Sequence, residues 1–336
     1  MEVSLYPTGF FHFMHVPAIM SIEWIEGDKL MQYFLLFIIC ILLFIFGMTI
    51  IRAGLFNLSA SRLKTWLIRL TSTPLKGLLT GTFITALLQS STAVMVIMIG
   101  LISAKIMTFP QSIGIILGTN IGTTFKTELI TFNVDKAIIP FAICGVLLFL
   151  AKNKKARSIG MLLFGIAAVF TAMKGFEWLA RPLTTIPFMQ KTLITLNESI
   201  VLSLLAGAGI TVIIQSSTAM TGIAMGFLTA GLLSLDAGIA IVLGANIGTC
   251  ITAIIASIGG GHEAKLAAYA HVWLNVLGVM LFIPLIPLLT SIAPYLAAAK
   301  DVQLAHISVI FNVVTSLIAL PFATRFGELI LAIHKK

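Results

Sequence analysis

The chain has 336 residues, 59% of them apolar and only 10% charged, with a net charge of +9 and a mean hydropathy of +1.08. Soluble domains carry about 25% charged residues, so this composition excludes a water-soluble globular protein and assigns the chain to a bilayer. The basic residues sit between apolar runs, where the positive-inside rule puts them, so the charge is no sign of nucleic-acid binding.

Residues 1–31 are aromatic and then acidic (Glu23, Glu26, Asp28), and read as a membrane-edge extension without a cleavable leader. Apolar segments follow at 32–51, 77–104, 112–131, 137–151, 159–176, 199–231, 237–258, 266–290 and 302–322. Residues 30–51 and 199–235 carry no charge at all, and a span needs roughly 20 apolar residues. The pattern predicts an all-α polytopic membrane protein. Cys40, Cys144 and Cys250 lie inside apolar runs and read as buried thiols, not as a disulfide framework.

An internal repeat organises these segments. Gln89-Ser90-Ser91-Thr92 recurs as Gln215-Ser216-Ser217-Thr218, an offset of 215 − 89 = 126. Asn120-Ile121-Gly122-Thr123 recurs as Asn246-Ile247-Gly248-Thr249 at the same offset. Residues 81–124 align with 207–250 without a gap, and 19 of 44 positions match. The division that follows is an extension (1–31), repeat 1 (32–157), repeat 2 (158–290) and a final span with a short basic tail (291–336).

Charge decides the topology. Arg52, Arg62, Lys64, Arg69 and Lys76 form one basic stretch, read as a loop, and Lys152, Lys154, Lys155 and Arg157 form another. Both fall on the cytoplasmic side if 77–104 is a re-entrant hairpin and only 112–131 and 137–151 cross. The same choice for 199–231 brings Arg325, Lys335 and Lys336 inside, with 14 of the 21 Lys and Arg cytoplasmic and the N-terminus outside. Three crossings per repeat make the second repeat inverted. The two hairpins then enter from opposite faces and their tips meet near the midplane, as in secondary transporters built from inverted repeats. The span 137–151 is short for a crossing.

Backbone exposed at such a tip survives only where it is buried in protein or lines a wet cavity. Hydroxyls and amides both donate and accept. Their oxygens suit Na⁺, while their donors, with free N–H groups at half-helix N-termini, suit an oxyanion. The candidate residues are Gln89, Ser90, Ser91, Thr92, Gln215, Ser216, Ser217 and Thr218, with Asn120, Thr123, Asn246, Thr249, Thr85 and Thr211 around them. Na⁺ ligation falls to Gln89, Ser91, Gln215 and Ser217. The competing reading is packing: small-residue helix contacts around the Asn-Ile-Gly segments, and interhelical hydrogen bonds for Thr85 and Thr211. Lys126 and Glu128 read as snorkelling to the interface. His271, Asn275, His306 and Asn312 read as structural hydrogen-bonding groups. No Arg or Lys falls at the expected site, so Na⁺ is expected to bind first and make room for the anion. No hydrolase elbow, phosphate-binding loop or zinc-protease signature occurs, so neither enzyme chemistry nor a cofactor is expected.

The paired Gln-Ser-Ser-Thr segments, each followed by Gly-x-Asn-Ile-Gly-Thr (118–123, 244–249), resemble the type II sodium–phosphate cotransporter family. So do residues 70–78 and Ala270-His271 followed by Leu274-Asn275. The resemblance covers about residues 32–322. It implies sodium-coupled symport of inorganic phosphate across the plasma membrane, with the two hairpins forming the phosphate and sodium sites. Thr92 and Thr218 stand where that family commonly has Ser. Some bacterial members carry a phosphate-regulator-like domain after the membrane part; the chain stops shortly after its last span, so such regulation is expected to need another protein. The same architecture carrying sulfate, arsenate or a small carboxylate, or acting as a passive channel, stays open here, as does the oligomeric state.

Overall fold

The computed structural model describes residues 26–69, 71, 73–132 and 134–334, so nearly all of the expected N-terminal extension, and Lys335 and Lys336, lie outside the described residues. Among the described residues every regular element is helical. Five stretches are long and apolar enough to cross a bilayer: Met31–Leu58, Lys154–Leu183, Leu235–Ser257, His262–Leu296 and Lys300–Ile333. The expected all-α polytopic architecture is what the chain adopts.

Helix α1 (Glu26–Arg69) runs for 44 residues. The basic stretch from Arg52 to Arg69 is therefore helix and not the loop expected from its charges. Charge ends an apolar run, but Arg and Lys are good helix formers, so the helix continues past the hydrocarbon boundary. A Thr73 cap, whose hydroxyl accepts from Lys76 N at 3.3 Å, and Pro74 start α2 (Pro74–Leu88). After a break come α3 (Ser91–Ser103) and α4 (Phe109–Leu129). The α4 start is held by Gln111 Oε1, which accepts from Thr108 N at 2.9 Å, and by Glu263 Oε2, which accepts from Phe109 N at 3.0 Å. Helix α5 (Ile138–Phe149) has 12 residues, a rise of about 18 Å at 1.5 Å each, so it is shorter than the crossing expected at 137–151.

The second half comprises α6 (Lys154–Leu183), α7 (Pro187–Glu198), α8 (Ile200–Ile214), α9 (Ser217–Thr229), α10 (Leu235–Gly248) and α11 (Ile251–Ser257). Helix α7 has no counterpart among the expected segments. Asn197 near its end clasps the turn after α9, donating to Leu232 O at 3.0 Å and accepting from Ser234 N at 2.8 Å. Two bent helices finish the fold. They are α12 (His262–Phe282) with α13 (Ile286–Leu296), and α14 (Lys300–Ala319) with α15 (Ala323–Ile333), joined through 3-10 turns at Pro284 and Pro321. Of the three thiols, Cys250 is buried, Cys40 half-buried and Cys144 exposed, which corrects the expectation that all three are buried.

Glycine places the hairpins. A Cβ on Gly114 would run into the Pro74 backbone, one on Gly118 into Leu78 O, and one on Gly122 into Thr85 Cβ. Residues 74, 78 and 85 thus face 114, 118 and 122 in the same order, so α2 and α4 run parallel. The chain between them must turn back, so α2 and α3 form a helical hairpin. The second half repeats this seam. A Cβ on Gly244 would run into Leu204 O, and one on Gly248 into Ala208 O and Thr211 Cβ, so α8 and α10 are also parallel. Backbone-to-backbone approach of this kind is what small residues permit in membrane helices.

Candidate functional site

The two breaks have nearly the same backbone. Gln89 ends α2 at φ 51, ψ 33, and Gln215 ends α8 at φ 52, ψ 31, both left-handed. Ser90 and Ser216 follow in extended conformation and cap the next helices, their hydroxyls accepting from Ala93 N at 3.0 Å and Ala219 N at 3.2 Å. A left-handed non-glycine residue costs roughly 1–2 kcal/mol. Glycine would avoid that cost, so a glutamine at both breaks points to a use for its side chain.

Several buried polar atoms around the breaks have no hydrogen-bond partner. In the first half these are Thr82 Oγ1, Thr85 Oγ1 and Gln89 Oε1; in the second they are Thr211 Oγ1 and Thr218 Oγ1. Thr85 and Thr211, equivalent across the repeat, are both fully buried. An unsatisfied buried hydroxyl costs about 1–3 kcal/mol. A cluster of them beside a helix break makes the two breaks the candidate ligand site.

The other candidates divide. The hydroxyls of Thr123 and Thr249 donate to Thr119 O at 2.8 Å and Ala245 O at 2.6 Å, bonds internal to their helices. Asn246 Nδ2 donates to Val242 O at 2.8 Å in the same way. Asn120 instead lines a crevice of about 200 Å³ with Leu117, Leu274, Gly278, Thr315 and Ser316. Ser91, Thr92, Ser216 and Ser217 are half-buried, and Gln215 is exposed. Among the described residues no hydrogen bond joins the two breaks; α4 packs on α9, and α14 packs on both.

Two charged residues depart from expectation. Lys126 is only 7% exposed and does not snorkel. It sits four residues past Gly122, so it extends the row Gly114, Gly118, Gly122 and faces the last turn of α2, which ends at Gln89. Against expectation, the register puts a lysine level with the first break. Its four-residue register with those glycines was the signal that could have found it. Glu128 is half-buried and bonds His306 Nδ1 at 2.8 Å, tying α4 to α14. Asn275 and Asn312 do make structural bonds, whereas His271 contributes its backbone carbonyl. Asn275 Nδ2 donates to His271 O at 2.9 Å and Asn312 Nδ2 to Ser308 O at 2.8 Å, leaving His271 Nδ1 and Asn312 Oδ1 without partners.

Apolar helices, two helical hairpins and buried polar clusters at their breaks define a polytopic membrane protein with a candidate solute site. Residues 43–177 and 184–322 match the Na+/Pi-cotransporter family. An uncharacterized protein of Bacillus subtilis, YqeW, is 41% identical over 290 residues, 86% of this chain and 94% of its own length. The putative inorganic phosphate export protein YjbB of Escherichia coli K12 is 25% identical over 281 residues, 83% of this chain. The chain spans about half the length of YjbB, 52%. The human sodium-dependent phosphate transport protein 2C is 36% identical over 85 residues, 24% of this chain and 14% of its own length. No solved structure matches the chain. The chain belongs to the Na+/Pi-cotransporter family.

Proposed function

We propose that this protein is a sodium-coupled symporter of inorganic phosphate that works by alternating access, with its site between the two helix breaks. The observation that carries the reading is the duplicated break with its orphaned hydroxyls and amide oxygen: Thr82, Thr85 and Gln89 in one half, Thr211 and Thr218 in the other. Oxygens of Gln89, Ser91, Gln215 and Ser217 hold Na⁺. The N-termini of α3 and α9 present N–H groups and a positive dipole to the anion. Relatives named for phosphate export and for sodium-dependent phosphate transport support both parts.

Opposed entry of the hairpins has support in the packing. Gly47 of α1 meets Gly165 and Val169 of α6, while Gly54 meets Ser158 and Met161, so these repeat-related helices run antiparallel. In the first half α2 packs back on α1, with the Trp66 and Phe83 rings 5.5 Å apart. In this reading the hairpins of repeats 32–157 and 158–290 enter from opposite faces, which the antiparallel run of α1 and α6 supports. The orientation with the N-terminus outside and the C-terminus cytoplasmic in the plasma membrane follows from the basic stretches.

Labelled phosphate uptake into proteoliposomes tests the reading. An inward Na⁺ gradient is expected to drive accumulation above equilibrium. Uptake indifferent to Na⁺ would refute the coupling, and uptake of sulfate but not phosphate would refute the substrate.

A further inference from the structure

We infer that Lys126, assisted by Arg52, is the fixed positive group that holds the anion, supplied by the first half of the chain alone. The inference rests on the transport reading above and deepens it within that site.

The geometry comes from the seam between α2 and α4. Gly114 faces Pro74, Gly118 faces Leu78, and Gly122 faces Thr82 and Thr85. One further turn places position 126 against residues 86–89, the last turn before the break. The side chain there is 7% exposed, in a helix whose neighbouring hydroxyls Thr82 Oγ1 and Thr85 Oγ1 and acceptor Gln89 Oε1 have no partner. Arg52 on α1 lies within electrostatic reach of Lys126, and its own Nε is buried without a partner. Among the described residues neither cation has a carboxylate. Glu128 bonds His306, and Asp135 and Glu177 hold Lys174 at 2.9 and 3.6 Å.

A buried ammonium and a partly buried guanidinium repel one another and, among the described residues, lack counter-charge. Burial makes that cost large, and an oxyanion cancels it. Phosphate brings negative charge to the ammonium and guanidinium and accepts from the threonine hydroxyls and the free N–H groups at the α3 start. The equivalent position in the second half, four residues past Gly248, is Thr252, also buried, and the equivalent of Arg52 is Trp178. That tip has hydroxyls and carbonyls but neither of these cations. A lysine that already supplies positive charge also lets phosphate bind before sodium.

The test compares wild type with Lys126→Met and Lys126→Arg in proteoliposomes, each checked for monodisperse elution. If wild type transports phosphate, Lys126→Met is expected to raise the phosphate KM about 30-fold or more, the loss typical of breaking a buried charge pair. Half-saturation by Na⁺ should stay within about twofold, and Lys126→Arg should fall between. An unchanged phosphate KM in Lys126→Met overturns the inference and leaves the transport reading standing. If wild type moves no phosphate, the transport reading fails, and thermal unfolding decides the inference alone. In Na⁺-free choline buffer, millimolar phosphate or sulfate should raise the Tm of wild type but not of Lys126→Met. Should the methionine variant not fold, the wild-type measurement suffices: no anion stabilisation without Na⁺ overturns the inference.

Discussion

The two helical hairpins share a backbone and differ in their surroundings. Their breaks agree within a few degrees at Gln89 and Gln215. Yet Ser90 is 2% exposed and Gln89 donates to Ala86 O at 2.7 Å, whereas Gln215 is exposed and Ser216 half-buried. In the first half α4 continues unbroken through Lys126. In the second half the helix stops at Gly248, and α11 starts afresh at Ile251 and packs on α3 and α12. Duplication preserves what the local sequence dictates, the break and the glycine seam. What packs on each copy has been free to diverge.

The largest predicted effect comes from the seams. Gly118→Leu and Gly244→Leu must push side chains into Leu78 O and Leu204 O. Overpacking costs about 1–3 kcal/mol even where cores can adjust, and here the obstacle is backbone. Both are expected to abolish monodisperse protein in size-exclusion chromatography; a well-folded variant of one seam only would show that the seams are unequal.

Next come the serines. Ser90→Ala with Ser91→Ala, and Ser216→Ala with Ser217→Ala, are each expected to cut labelled phosphate uptake by tenfold or more, about 1.4 kcal/mol, at preserved expression. The two pairs sharpen the comparison. Both pairs should weaken Na⁺ half-saturation, and the first, in the half that carries Lys126, should raise the phosphate KM more than the second.

A smaller effect with an opposite sign is expected from Gln89→Gly and Gln215→Gly. Each removes a left-handed strain of roughly 1–2 kcal/mol, offset in part by glycine's greater freedom when unfolded. Thermal unfolding should show unchanged or slightly raised Tm with transport lost at both positions. The smallest effect is predicted for Glu128→Gln. Its bond to His306 is about one-third exposed on each side, so it contributes no more than about 1 kcal/mol. A Tm change of several degrees would show that α14 depends on this bond more than its exposure allows.

Much of this was legible before the coordinates. Two uncharged tetrapeptides at one offset locate both breaks, because a Gln-Ser pair in an apolar run has few other uses. The glycine rows were visible too, as packing residues. The extent of α1 was not, since Arg and Lys end a hydropathy window without ending a helix. Helix α7 was hidden because its polar face interrupts the apolar run between Thr184 and Ser199. The burial of Lys126 is not legible either, because a single lysine near the end of a span ordinarily reaches for the surface. Only its register with Gly114, Gly118 and Gly122 turns it inward.

The glycine seams carry a mechanical consequence. Where two backbones touch with no side chains between them, there is no lubricating layer, and neither helix can slide. Hairpin one with α4, and hairpin two with α10, must each travel as a welded block. Any rocking between inward and outward openings is then absorbed elsewhere, at the bends around Pro284 and Pro321, where the ladder of backbone bonds is already interrupted.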